Sequence, residues 1–346
     1  MTNLTSMEMP GPGIADVHRW TRASRMAAWT SVVGIAFLAL VPTFASTGLV
    51  DRLTALFVYV ILAAMWNALA GYGGLVSVGQ QMFFGLGAYF TVRIADAGAD
   101  PFVATLLAAV AVSLVSYPLS LVMLRLKGGE FAIAMWVVSA LTHLLVNLDG
   151  LIQGETGTSL ISLNAYAAGT RQIWIYGLAL AAMTLLLVGL FALLRSRVGS
   201  AIQAIRDNED AAAALGVDVV ATKRLLFILA AFGTGIAGAL WLASATSFQP
   251  KTYFSVQWTA YMIFMVLVGG LGRFEGAILG AVIFFVIETV FGAMGVWYLI
   301  GLGLVALLFS LFLPRGLWGA VEERLGLSLM PVGYRLVVNS ENRMER

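Results

Sequence analysis

QIWIYGLALAAMTLLLVGLFALL (172–194) and LLFILAAFGTGIAGALWLASATS (225–247) flank the longest polar stretch inside the chain, RSRVGSAIQAIRDNEDAAAALGVDVVATKR (195–224). Neither flank holds an Asp, Glu, Lys or Arg. A hydrocarbon core about 30 Å thick takes about 20 apolar residues of helix to cross. Both flanks are therefore predicted to span a membrane, with the polar loop on one side of it.

Working outward, eight further runs meet the same measure: 27–44, 53–71, 78–97, 102–124, 131–149, 256–270, 276–294 and 297–313. Glycine interrupts 78–97, 256–270 and 276–294, so some spans are expected to be broken or re-entrant. The predicted fold is an all-α polytopic membrane protein of about ten transmembrane helices. Of the 346 residues, 60% are hydrophobic and 11% charged, whereas soluble domains lie nearer half and a quarter. The chain divides into a polar N-terminal tail (1–26), a membrane domain (27–313) containing the 195–224 loop, and a C-terminal tail (314–346). The first apolar run lacks a small-residue cleavage site and is expected to be retained as a helix.

Charge placement orients the spans. With the N-terminus in the cytoplasm, 16 of the 20 basic residues fall inside. They are Arg19, Arg22 and Arg25; Arg125 and Lys127; Arg195, Arg197, Arg206, Lys223 and Arg224; Arg273; and Arg315, Arg324, Arg335, Arg343 and Arg346. Arg52, Arg171 and Lys251 fall outside, and Arg93 lies within the third span. This is the positive-inside asymmetry of an inner-membrane protein with both termini cytoplasmic. Trp20, Trp29, Trp174, Trp297 and Trp318 sit near span ends, as an aromatic belt would place them.

Several chemistries are excluded. The chain has no cysteine and two histidines, His18 and His143, so disulfides, thiol nucleophiles and paired-histidine metal motifs are absent. None of Lys127, Lys223 and Lys251 follows a glycine, so no phosphate loop exists. No cofactor is expected on this chain, which cannot bind ATP by that route. No acid dyad in a polar context and no basic, aromatic-interleaved surface suggests an enzyme or a nucleic-acid binder.

Within the loop, Gly199 to Leu215 is predicted as one short amphipathic helix. Ala201, Ile202, Ile205, Ala212 and Leu215 fall near one face, and Arg206, Asp207, Glu209 and Asp210 toward the other. Gly216 is placed to end it in a left-handed conformation. Such a helix could dock a soluble partner or lie on lipid headgroups. The stretch Gly71-Tyr72-Gly73-Gly74 through Gly87-Ala88-Tyr89 is the second region of note. Its glycines would permit close helix crossing or a broken, pathway-lining backbone, and Ser77, Gln80 and Gln81 would need polar partners there. The third is Gly269-Gly270-Leu271-Gly272, followed by Gly276 and Gly280. Glu288 lies mid-span, where a charge costs at least ~2.5–3.5 kcal/mol. Its partner must come from another helix, for structural pairing or for transport. Arg93 reads as snorkelling or locally paired, and His143 with Asn147 as an interhelical hydrogen bond.

These segments carry a resemblance. Asp210-Ala211-Ala212-x-x-x-Gly216 resembles the EAA-x-x-x-G signature of ABC import permeases, with Asp for Glu. Ala204 to Val217 looks like the corresponding loop of the branched-chain amino acid permeases. Gly71-Tyr72, Gly74, Leu75, Ser77, Gly79, Phe83-Phe84-Gly85 and Gly87-Ala88-Tyr89 resemble that family's GY-G-x-L-S-x-G-x-x-x-FFG-x-GAY pattern, with Gln80 where histidine is usual. The 269–280 segment is similar to its GG-x-G-x-x-x-G-P-x-x-GA pattern, with Ala277 where proline is common. The resemblance implies a membrane permease of an ATP-driven importer in the bacterial inner membrane. Its substrate would be leucine, isoleucine or valine, with urea or a short-chain amide as the alternative. It further implies a second, homologous permease, two ABC ATPase subunits and an extracytoplasmic solute-binding protein. The coupling residues would be Arg206, Asp207, Glu209, Asp210, Ala211, Ala212, Leu215 and Gly216. Pathway candidates are Gly73, Gly74, Ser77, Gln80, Phe83, Gly85, Gly87, Gly269, Gly270, Gly272 and Glu288. An ion-coupled secondary transporter, with Glu288 as its ion site, and a non-transporting scaffold are the readings of other classes.

Overall fold

The computed structural model describes residues 15–18, 22–325, 329–332 and 335–338. Arg19, Trp20, Arg343 and Arg346 lie outside the described residues. The bundle comprises α1 (Arg22–Leu40), α2 (Thr47–Asn67), α3 (Gln81–Asp96), α4 (Pro101–Met123), α5 (Gly128–Asn147) and α6 (Ala168–Arg195). After the polar loop follow α9 (Val219–Ala245), a short α10 (Pro250–Tyr253), α11 (Val256–Gly269), α12 (Phe274–Phe291) and α13 (Val296–Phe312). The loop itself folds as α7 (Arg197–Asp207) and α8 (Glu209–Ala214), and α14 (Gly316–Leu325) follows α13. Among the described residues, strand content is confined to two short antiparallel pairs. One joins Thr158–Ser159 to Ser247–Phe248, and the other joins Ala15–His18 to Arg335–Val338. The second pair brings the two tails to the same end of the molecule, as an even number of crossings requires.

Burial separates the helices into a core and a shell. In the most apolar window, 83% of α2 and its extension and 72% of α9 are buried, against 6% for α1 and 11% for the span beginning at Val296. The shell is apolar on its outer face: Trp29, Leu185 and Leu311 are all exposed. Water would not tolerate so continuous an apolar surface. The fold is a multi-pass membrane protein with polytopic helical architecture.

Among the described residues nine helices are long and apolar enough to cross a membrane, one fewer than the ten runs read from sequence. The exception is the third run, 78–97, where α3 has 16 residues. The crossing is completed by non-helical backbone. α2 runs on through a π turn at Ala68–Tyr72, and Gly74 then turns the chain at φ +68°. Residues 73–80 climb without helix to the start of α3. Gly74 lies against Arg206 of α7 at one end of the bundle, and Arg93 pairs with Asp149, just beyond α5, at the other. Buried irregular backbone must find partners inside the protein. Here Leu75 N–H donates to the Leu69 carbonyl at 2.9 Å, Trp66 Nε1 to the Ser77 carbonyl at 3.0 Å, and Gly79 N–H to Ser77 Oγ at 3.3 Å.

Candidate functional site

The three glycine- and loop-borne segments converge on one joint. Asn67 near the end of α2 reaches the turn between α11 and α12: its Oδ1 accepts from Gly272 N–H at 2.8 Å and its Nδ2 donates to the Arg273 carbonyl at 2.9 Å. Gly71 presses on the same turn, and a Cβ there would stand 2.5 Å from the Gly272 nitrogen. Gly270 and Gly272 adopt φ of +133° and +71°, which a side chain would strain. Arg206 closes the joint by donating from Nη1 to the Gly71 carbonyl at 3.1 Å. Its other nitrogens hold Asp207 Oδ1 at 3.0 and 2.8 Å. Gly316, at the start of α14, abuts Gly270, and an Arg273–Glu322 ion pair fixes α14 beside it.

The loop departs from the single helix expected over 199–215. It breaks at Asn208, whose backbone is extended (φ −158°, ψ 107°) and whose side chain accepts from Ala211 N–H at 2.9 Å. An Asn in this role favours a cap over helix interior. Gly216 ends α8 at φ +85° as expected. Gly216 N–H donates to the Ala213 carbonyl and Val217 N–H to that of Ala212, a Schellman closure. The break redistributes the faces. Ile202, Ile205 and Ala212 are buried, but Leu215 is 85% exposed, so it leaves the packed face assigned to it. Ala211 and Asp210 are exposed beside it.

The polar residues of the loop fall into two groups. Arg206 and Glu209 are engaged within the chain. Glu209 Oε2 accepts from Lys223 Nζ at 2.7 Å, and Oε1 lies 3.7 Å from Lys127 Nζ. The Lys223 hydrogen bond, aided by both ammonium charges and opposed by partial desolvation, holds the Glu209 carboxyl below the usual carboxylate range. Asp210 instead faces outward on α8, as does the apolar Leu215 just beyond its end. Lys127 and Lys223 were read from sequence only as cytoplasmic-side charges, and Asn67 was not singled out, although a lone amide inside the apolar run 53–71 was its available signal.

The remaining glycines are filled contacts. A Cβ at Gly87 would sit 1.9 Å from the Gly235 oxygen, at Gly269 1.9 Å from the Gly276 oxygen, and at Gly280 1.7 Å from the Met265 oxygen. Gly85 is covered by the Phe254 ring, and Gly73 by Leu226 and the Leu69 carbonyl. Phe83 packs edge-on against Phe227. Close helix crossing accounts for each of them in this conformation. Of the polar residues between them, Gln81 accepts from the Thr259 hydroxyl. Gln80 is fully buried, with neither amide atom hydrogen-bonded to any described residue.

Glu288 finds its partner on another helix, as required: Tyr59 Oη of α2 donates to Glu288 Oε1 at 2.8 Å. Tyr59 also meets Phe284 edge-on at 5.0 Å and Trp241 at 5.8 Å, and Tyr261 packs on Phe284 at 4.6 Å. The carboxylate thus sits at the edge of an aromatic cluster drawn from α2, α9, α11 and α12. Arg93 pairs with Asp149 at 2.7 Å. The bond expected between helices at His143 and Asn147 is made instead to Glu155 in the turn after α5, at 2.9 and 2.6 Å.

Comparison with known proteins shows what the chain as a whole is similar to. Residues 48–313 match the family model described as branched-chain amino acid transport system / permease component. The chain is 27% identical over 83% of its length to the high-affinity branched-chain amino acid transport system permease protein LivM of Escherichia coli (strain K12), covering 73% of that protein. Its identity to the Salmonella typhimurium protein of the same name is 26% with equal coverage. The probable branched-chain amino acid transport permease protein LivM of Methanocaldococcus jannaschii is 24% identical, over 77% of this chain and 80% of that one.

Proposed function

This chain belongs to the family of branched-chain amino acid transport permease components, and from that premise we propose that it is the membrane subunit of an ATP-driven importer. It would assemble with a second permease, two ATPase subunits and an extracytoplasmic binding protein, in a bacterial inner membrane with both tails cytoplasmic. Leucine, isoleucine or valine would be its cargo.

The observation that carries the reading is the Arg206–Gly71 hydrogen bond at 3.1 Å. It links a polar loop, with Asp210, Ala211 and Leu215 turned outward, to the ends of membrane-crossing elements α2 and α12. A displacement of the loop by an ATPase would be transmitted to the 71–80 backbone, because Arg206 and the Asn67 clamp hold them in one joint. The filled glycine contacts would act as crossing points about which helices shift. Ser77 and the unpartnered Gln80 amide support a pathway along the non-helical part of the third crossing, since a fully buried, unsatisfied amide calls for an occupant or a rearrangement. Coupling would require no ATP site on this chain.

The test is a Leu215→Glu, Asp210→Arg double variant, which leaves the internal Arg206 and Glu209 pairs intact. Loss of ATPase co-purification and of leucine uptake, with normal membrane insertion, is the expected result. Parental uptake and co-purification would overturn the coupling role. A second reading, ion-coupled transport, draws on Glu288 and its Tyr59 partner. Leucine uptake that persists in ATP-depleted cells with an intact ion gradient would select it.

A further inference from the structure

At the end of the bundle opposite the joint, α2, α6 and α9 leave a cavity of about 260 Å3. Its polar lining comes from Thr47, Asp51, Thr54, Arg171, Gln172 and Ser244. A second opening, of about 180 Å3, shares Thr54 and Ser244 and continues along Ala55, Val58, Trp241 and Ala245. The first is walled by charge and amide, the second by apolar side chains. Gln172 uses its Nε2 twice, donating to Asp51 Oδ1 and to the Thr47 carbonyl at 2.7 Å each. This fixes the carboxylate at the cavity wall. The Arg171 guanidinium, on the same wall, has no ion pair or hydrogen bond with any described residue, and it does not pair with Asp51.

Two unlike charges that do not pair with each other thus line one cavity, which shares Thr54 and Ser244 with a more apolar recess. A free α-amino acid presents the complementary set: an ammonium and a carboxylate on one carbon, with the side chain pointing away. The planar guanidinium suits a carboxylate through two parallel hydrogen bonds. A neutral solute such as urea or an amide would leave both charges uncompensated. We propose that this cavity is a subsite for a zwitterionic α-amino acid with an apolar side chain. The α-carboxylate sits on Arg171, the α-ammonium on Asp51, and the side chain lies toward Val58 and Trp241. The proposal rests on the transport reading and adds a named recognition site to it.

Because the chain has no cysteine, a single introduced thiol reports on this site alone. Ser244→Cys, and separately Thr54→Cys, are placed in the assembled transporter in membranes and labelled from outside with a charged methanethiosulfonate. Leucine at about ten times its dissociation constant should slow labelling about tenfold. Isopentylamine, which lacks the carboxylate, and 4-methylpentanoate, which lacks the ammonium, should not. Arg171→Gln in the same background should abolish the leucine protection, whereas Arg52→Gln, exposed on the neighbouring residue of α2, should preserve it. If both thiols label at a leucine-independent rate, or neither labels, while leucine is still imported, the subsite is wrong and the transport reading stands. If leucine is not imported at all, it is the transport reading that fails.

Discussion

Arg206 Nη1 stands 3.1 Å from the carbonyl oxygen of Gly71, fastening a loop helix to the last turn of the most buried span. A residue that looks from sequence like a surface contact for a partner is instead an internal strut. Two glycines border it: a Cβ on Gly74 would stand in contact with Arg206 Cγ at 3.4 Å, and one on Gly71 would clash with the Gly272 nitrogen 2.5 Å away.

Replacing Arg206 with Ala removes a charged donor whose hydrogen bond is worth ~1.5–3 kcal/mol when buried. The side chain is 36% exposed, so the lower part of that range applies. Leucine import by the Arg206→Ala transporter is expected to fall by about an order of magnitude, the equivalent of about 1.4 kcal/mol, with unchanged permease in the membrane. Arg206→Lys should not restore it, because a single ammonium lacks the fork that serves Gly71 and Asp207 together. Initial uptake rates normalised to permease content measure both.

Glu209 gives the loop a pH dependence. Its folded-state carboxyl lies below its ordinary value because of Lys223. Its contribution is therefore complete above the ordinary carboxylate range and is lost as pH falls through the depressed value. Hydrogen-exchange protection at the α8 amides, relative to the intrinsic exchange rate at each pH, should be constant near neutral pH and should fall only in acid. Glu209→Gln should exchange faster at neutral pH and lose the acid step, and the Glu209→Lys, Lys223→Glu double variant should recover part of the protection.

At Gly87 an added Cβ would meet the Gly235 backbone oxygen at 1.9 Å, and backbone cannot step aside as a side-chain tip does. Gly87→Ala is expected to cost about 1–3 kcal/mol or more and to lower the melting temperature of the detergent-purified protein. Gly34→Ala, inside α1 with nothing within 4 Å, should be neutral or stabilising by up to about 1 kcal/mol. Equal melting temperatures for the two variants would contradict the packing described.

Tyr59→Phe leaves the Glu288 carboxylate without its hydroxyl donor and should destabilise by about 1–3 kcal/mol. Glu288→Gln keeps an acceptor for Tyr59 and should fold normally. If uptake by Glu288→Gln also matches the parent, Glu288 serves packing alone. If uptake is abolished while ATPase assembly persists, the acid belongs to the pathway.

Much of this was legible along the chain. The apolar runs, the polar loop, the glycine that ends α8 and the cross-helix partner demanded by Glu288 follow from local rules: length against bilayer thickness, helix capping and the cost of a buried charge. Asn208 shows where local rules ran short. Helical periodicity carried the pattern through it, but its side chain caps α8, and that rotation exposed Leu215. The third crossing shows the same limit, since hydropathy counts apolar residues and does not register that 73–80 are not helical.

The sequence by itself determined that this is a helical membrane protein and where its long apolar segments lie, because solvation and backbone geometry act on each stretch independently. That Gly71, Arg206 and Gly272 meet at one joint was decided only by the tertiary structure. So was the placement of Asp51 and Arg171 in the lining of one cavity. Residues more than a hundred positions apart become neighbours through packing, and no local preference encodes which glycine leaves room for which guanidinium.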